Sequence, residues 1–262
     1  MLGTLFQNVL RRDRLVAVLA LAAVSAVAWV YTVFGVGMNM TAIDMTAMPS
    51  DMPMPLDAWD LRKSALMFAM WWVMMIAMML PSAAPMVLLY QRVAKRGRMA
   101  RTGMHTALFA FGYLLVWGLF SLAATVLHAG GEISGGVNGM MASSSRVLDG
   151  ALLVVAGVWQ LTPMKNRCLE ACRSPVEFLG RIWTPGATGA LGMGIHHGAF
   201  CVGCCWAMML LLFVGGVMNL YWIGGLALLA LAERAAPMWH RVERPIGVIA
   251  IVVGVLLLTS PV

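Results

Sequence analysis

Seven apolar runs, each near the ~20 residues of helix that cross a hydrocarbon layer, constrain this chain more than any other feature. They cover roughly 15–36, 64–90, 104–128, 147–163, 188–214, 219–236 and 246–260. Only 11% of the 262 residues are Asp, Glu, Lys or Arg, while 61% are apolar. A soluble chain carries about 25% charged residues to keep its surface wet. That deficit excludes a cytosolic enzyme, a secreted disulfide scaffold and a disordered chain. The runs are rich in Leu, Ala, Val and Met and lack the two-residue alternation of a barrel strand. The expected class is therefore all-α: one polytopic transmembrane helix bundle spanning 1–262, with the lipid bilayer as its solvent. The first run follows Arg11, Arg12 and Arg14, as a signal peptide would. It is too long for a cleaved core, however, and reads as a retained span.

Basic residues set the orientation. With the amino terminus in the cytoplasm, 15 of the 18 Lys and Arg fall inside, and only Arg62, Lys63 and Arg146 fall outside. Asp44, Asp51, Asp57, Asp60 and Glu132 fall on the outer side. The expected arrangement is seven spans in the inner membrane of a bacterium, amino terminus in and carboxyl terminus out. The formal charge of +7 is then a topology signal, and nucleic acid is not an expected partner. Glycines in the spans (Gly112, Gly118; Gly192, Gly194, Gly198; Gly224, Gly225) allow close helix approach. Pro81 and Pro85 are expected to kink the second span.

Thirteen of the 24 methionines lie between Met38 and Met86. One group occupies the outer loop, 37–63, and includes the close pairs Met38/Met40 and Met52/Met54. A wet loop gains nothing from thioethers as hydrophobes, whereas thioether sulfur is a soft ligand for Cu(I). The competing reading is a loop packed on lipid or on a partner, with Met as flexible filler. The second group lies on the second span. Met70, Met74 and Met78 are spaced by four and share a face with Met67, while Met75 and Met79 flank it. This stripe is either core packing or a ladder of weak sites whose ~6 Å spacing suits an ion moving stepwise.

The five cysteines form two motifs. Cys201, Cys204 and Cys205 sit in the fifth span just after His196 and His197, and His197, Cys201 and Cys205 share a stripe. Coordinating groups at bilayer depth are costly and are read first as functional; three small buried hydrophobes and two hydrogen-bonded histidines are the plain alternative. Cys168 and Cys172 lie in the inner loop, 164–187, among Lys165, Arg167 and Arg173, where a structural disulfide is not expected. They fit a soft-metal site, a redox pair, or two incidental surface thiols. His128, Glu132, Met140 and Met141 form a weaker outer candidate, and Glu233 is expected to pair with Arg234 or Arg244. There is no P-loop, no H-E-x-x-H and no dinucleotide turn, so an enzymatic role is the lesser expectation.

Three stretches agree in order with one family: Trp72-Val-Met-Met-Ile-Ala-Met-Met-Leu-Pro81-Ser82, Cys168-Leu-Glu-Ala-Cys172-Arg173-Ser-Pro175, and His197-Gly-Ala-Phe-Cys201-Val-Gly-Cys204-Cys205-Trp206. Gly216-Val-Met218-Asn219-Leu-Tyr-Trp222 and Glu233 extend the match. Over roughly 64–236 the chain resembles the bacterial predicted metal-binding integral membrane proteins. The resemblance implies a membrane fold and a metal site, without an established reaction. The Met-rich loop and the last span lie beyond it.

The leading expectation is a Cu(I)-binding membrane protein in which the second and fifth spans face each other across Met, Cys and His donors. A Cys/His set also accepts zinc. Import, export and delivery to another membrane or periplasmic protein are left open. The rivals are a membrane thiol redox protein and a non-catalytic subunit or assembly factor of a membrane complex.

Overall fold

The structure is a computed structural model that describes residues 2–35, 40–49, 56, 58–235 and 240–260; for residues 2–13 and 240–242 it describes the backbone alone. Among the described residues, regular structure is helical apart from one isolated antiparallel bridge between Val137 and Ser143. In chain order the helices are α1 (Leu2–Phe34), α2 (Ala42–Ala47), α3 (Leu61–Arg96), α4 (Thr102–Ile133), α5 (Arg146–Leu161), α6 (Pro163–Arg173), α7 (Pro175–Ile182), α8 (Gly186–Leu210), α9 (Leu212–Gly215), α10 (Leu220–Ala235) and α11 (His240–Thr259).

Local sequence explains several of the boundaries. Asp60 caps α3 by accepting from the Lys63 N–H, and the helix stops at Gly97. The Thr162 side chain accepts from Lys165 N–H, and Pro163 takes the first position of α6, where its missing donor costs nothing. The Met-rich loop holds a helix that its composition did not announce. Thr41 and Asp44 form a reciprocal capping box over α2, which buries Ala42 and Met45.

Each of the seven expected spans coincides with a helix. Four stretches are long and apolar enough to cross a membrane: Arg14–Phe34, Leu61–Arg96, Thr102–Ile133 and Gly186–Gly215. A fifth arises if α5 and α6, bent by 66° at their junction, are taken as one broken span. Helices α5 and α10 have 16 residues each, a rise of about 24 Å, which falls short of a ~30 Å core. Long apolar faces on α1 and α4 remain exposed, including Leu15, Leu19, Val27, Leu119 and Val126. Such faces are compatible with insertion into lipid.

Close packing comes from small residues on two helix pairs. Helix α4 lies against α8, where a β-carbon on Gly112 would stand 2.5 Å from the Leu191 carbonyl oxygen and one on Gly194 would strike the backbone of Phe109. Helix α5 lies against α11 in the same way, Gly150 on Gly254 and Gly157 on Gly247. Of the glycines expected to allow close approach, Gly112, Gly194 and Gly198 do so, while those on α5 and α11 were not singled out in the sequence. At Gly192, Gly224 and Gly225 an added β-carbon would meet nothing within 4 Å.

Candidate metal centre

The centre begins with helix pitch. On α8, Cys201 and Cys205 are one turn apart with Cys204 beside them, and all three are 1% exposed. Their protons are held locally: the thiols of Cys204 and Cys205 donate to the Cys201 carbonyl oxygen at 3.1 and 2.9 Å. Opposite them lies Met79 of α3, whose Sδ is 4.0 Å from Cys205 Sγ. Tyr113 of α4 bridges the two helices, with its hydroxyl 3.2 Å from the Met79 carbonyl oxygen and 3.1 Å from Cys201 Sγ. The second and fifth spans therefore do meet through sulfur. The methionine that reaches the cysteines, however, is one placed at the flank of the stripe.

The rest of the stripe is nearby and dry. Met67, Met70, Met74, Met75, Met78 and Met79 are all buried and share one core cluster with the three cysteines. A single-faced ladder would leave its flanks toward lipid. Here Met75 and Met79 at the flanks are buried with the stripe, while Phe68, Trp72, Val73 and Ile76 on the rest of the helix are half-buried.

Two residues of α6 join this cluster from a distance in sequence. Cys172 packs against the core cluster that holds Cys201 and Cys204 and lies beside both sulfurs. Cys168 sits over Gly203, where a β-carbon would come within 2.9 Å of its sulfur. The sequence reading kept the two cysteine motifs apart, one in an inner loop and one inside a span. The 66° bend after Thr162 folds α6 back onto α8, and all five cysteines, each a free thiol, converge.

At the focus of the sulfurs stands a cation. Arg234, in the last turn of α10, directs Nη2 to Cys201 Sγ at 3.1 Å, Cys205 Sγ at 3.4 Å, Cys204 Sγ at 3.6 Å and Met79 Sδ at 3.8 Å. Its Nη1 donates to Ser82 Oγ. Among the described residues, no three His, Cys, Asp or Glu side chains stand in the geometry of a metal-ligand set. The distances give the reason. Metal–thiolate bonds are about 2.3 Å long, whereas these sulfurs are spread around a guanidinium nitrogen.

Glu233 does not pair with Arg234 or Arg244 as expected. It turns to the other side of α10, where its carboxylate accepts from Lys165 Nζ at 2.7 Å and from Gln160 Nε2 at 2.5 Å. Arg173 donates to the Glu233 carbonyl oxygen and to Glu243, both at 2.6 Å. Consecutive helix positions point about 100° apart, so Glu233 and Arg234 serve different neighbours.

The two histidines part company for the same reason. His197 is buried among the rings of Tyr113, Phe178 and Phe109, with centroids 5.6, 5.5 and 6.2 Å away. Its Nδ1 has no hydrogen-bond partner among the described residues. His196 is exposed and lies against Phe200, away from the sulfurs.

A second polar group closes the far end of the methionine column. Glu132 of α4 accepts from Lys63 Nζ at 2.6 Å and from Trp59 Nε1 at 2.8 Å. Its other oxygen is 3.3 Å from Nε2 of the fully buried His128, whose Nδ1 accepts from Trp71 Nε1 at 3.3 Å. Along α3, Lys63, Trp71 and Met79 mark levels about 12 Å apart. The methionines 70, 74, 75 and 78 fill the interval between His128 and the cysteines. Met45, Met140 and Met141 are buried in the same cluster, and Met40 packs against it half-buried. Met38, Met52 and Met54 lie outside the described residues.

Sequence reasoning missed Tyr113 and Arg234. Arg234 carried a readable signal, since a charge next to an apolar run is costly and points to a partner. Tyr113 carried none, because its role rests on where α4 crosses α3 and α8.

No curated protein and no solved structure matches the chain. One family model does, over residues 68–257, a stretch that takes in Met79, all five cysteines and Arg234. That match covers well over half of the 262 residues, and the chain belongs to the PpoB2 copper chaperone family.

Proposed function

We propose that this protein is a multi-pass Cu(I) chaperone of the bacterial inner membrane. It takes the ion at the outer methionines, holds it between Met79 and the cysteines of α8, and gives it up to another membrane or periplasmic protein. The observation that carries the reading is the convergence of three thiols and a thioether on one buried point already occupied by a cation. Soft sulfur donors select Cu(I) over Mg, Ca or Mn. Family membership supports copper as the cargo. Cys172 and Cys168 stand beside the α8 set as further donors, and the methionines of α3 provide weaker sites through which an ion is passed. Seven spans, with the amino terminus inside, agree with the distribution of Lys and Arg.

The test is metal analysis of the full chain purified anaerobically in detergent and loaded with Cu(I) or Zn(II). The wild type is expected to retain Cu(I) in preference to zinc, and the Cys201→Ser/Cys204→Ser/Cys205→Ser variant to lose it. Equal copper in both proteins would sink the proposal.

A second reading, thiol redox exchange, is favoured by one observation, the contact of Cys172 with Cys201 and Cys204. It requires reversible cycling between thiol and disulfide during function, followed by thiol labelling. Labelling that stays constant while copper is delivered excludes it.

A further inference from the structure

The sulfur cluster is not an open cup awaiting an ion. Its centre is held by Arg234, and a guanidinium is charged at any pH a cell experiences. Four sulfurs within 3.8 Å of one nitrogen leave no room for a metal as well. An ion bonded to the same sulfurs at about 2.3 Å would lie almost on top of Nη2, with like charge. We infer that Arg234 is an internal stand-in for the cargo, a displaceable cation that must leave the sulfurs before Cu(I) can bind and that returns when Cu(I) departs. This inference rests on the copper reading above.

Three observations say the side chain has somewhere to go. Its Nη1 already donates to Ser82 Oγ, one turn beyond Met79 on α3, so a shift toward Ser82 keeps one strong bond. Arg234 is only half-buried and lies in the last turn of α10, next to the exposed Ala235. The nearest carboxylates are engaged elsewhere, Glu233 by Lys165 and Glu243 by Arg173. The sulfurs are thus its principal counter-groups, and release from them is not opposed by an ion pair to a carboxylate.

Cu(I) binds cysteine as the thiolate, so each thiol that takes the ion gives up its proton to solvent. The cation exchange itself swaps one positive charge for another, and the site's charge falls only by the protons released. A bare sulfur cluster at this depth would have to be desolvated without compensation, which is expensive. With Arg234 in place the sulfurs keep a positive counter-group in the empty state, as they would have from Cu(I) in the loaded one. A divalent hard ion finds no carboxylate among the described groups that contact Arg234 here, only sulfurs and the Ser82 hydroxyl.

The experiment titrates the detergent-solubilised full chain with Cu(I) against a chromophoric Cu(I) chelator. Wild type, Arg234→Gln and the triple Cys→Ser variant are compared. Removing the internal competitor is expected to tighten Cu(I) binding by roughly 5- to 150-fold, the size usual for the linkage between two coupled binding events, and to slow release to the chelator. Arg234→Gln binding with unchanged or weaker affinity overturns the inference. As a measurement independent of that variant's folding, wild type is treated with phenylglyoxal and modification of Arg234 is followed by mass spectrometry. Cu(I) is expected to expose Arg234 to the reagent, and a rate unaltered by Cu(I) overturns the inference. Wild type that binds no Cu(I), or a triple variant that binds as well as wild type, instead removes the copper reading itself. Thiol-dependent binding with an indifferent Arg234 leaves that reading standing and rejects only the exchange.

Discussion

Lys165 Nζ lies 2.7 Å from Glu233 Oε1 with both side chains sealed from solvent, one residue away from the arginine that holds the sulfurs. The pair ties α6 to α10. It thereby fixes the two elements that bring Cys172 and Arg234 to α8. A buried pair is weak evidence of net stability but is damaging to break, because the survivor is left charged and alone. Lys165→Met is expected to destabilise the protein by about 3–5 kcal/mol. Lys165→Met/Glu233→Leu should recover much of that loss. Thermal unfolding in detergent of both variants is the check, and a double variant no better than the single one would contradict it.

Met79 and the methionines above it are expected to behave differently. Met79→Leu removes a sulfur from the cluster while preserving bulk, so the affinity for Cu(I) should fall with little effect on stability. Met70→Leu/Met74→Leu/Met78→Leu should leave affinity near wild type and slow the loading of copper supplied from outside. Stopped-flow loading of protein in vesicles separates the two. A triple variant that loads at the wild-type rate makes the stripe simple packing.

Convergence of the two cysteine motifs can be tested without metal. Mild oxidation of the intact protein is expected to join Cys172 to Cys201 or Cys204, linking α6 to α8, and bound Cu(I) should protect against it. Peptide mapping of the oxidised protein identifies the bond. Formation of Cys168–Cys172 alone would mean that α6 does not pack back on α8.

Gly194 is where α8 approaches α4 most closely, its α-carbon facing the Phe109 backbone. Gly194→Ala forces the helices apart beneath Tyr113, which bridges Met79 and Cys201. The expected result is a loss of roughly 2 kcal/mol or more in stability together with weaker Cu(I) binding. Gly192→Ala, two residues away with nothing within 4 Å, should be near neutral. Parallel melting curves of the two variants decide it.

Much of the bundle was legible because long apolar runs leave few choices. The apolar runs locate the long helices among the described residues, since a helix satisfies its backbone groups within its own segment. The cysteines of α8 were legible as a site because helix pitch puts Cys201 and Cys205 on one face. What could not be read were relationships set by tertiary contact. The bend at Thr162–Pro163 looks in sequence like an ordinary span end. Only its packing against α8 carries Cys168 and Cys172 inward. Periodicity could place Met79 on one side of the stripe, but which side faces α8 depends on how α3 is rotated in the bundle. His196 and His197 looked equivalent by adjacency, yet the 100° step between neighbours sends one to the surface and the other among Phe109, Tyr113 and Phe178.

The bend between α5 and α6 also has a temporal meaning. Synthesis proceeds from the amino end, so α3 and its methionines exist long before α10 emerges with Arg234. The five thiols come together only where α6 doubles back on α8, and Arg234 joins them from the last turn of α10. A half-finished polypeptide therefore has its thiols scattered, and the sulfur cluster exists only once α6, α8 and α10 all stand in place.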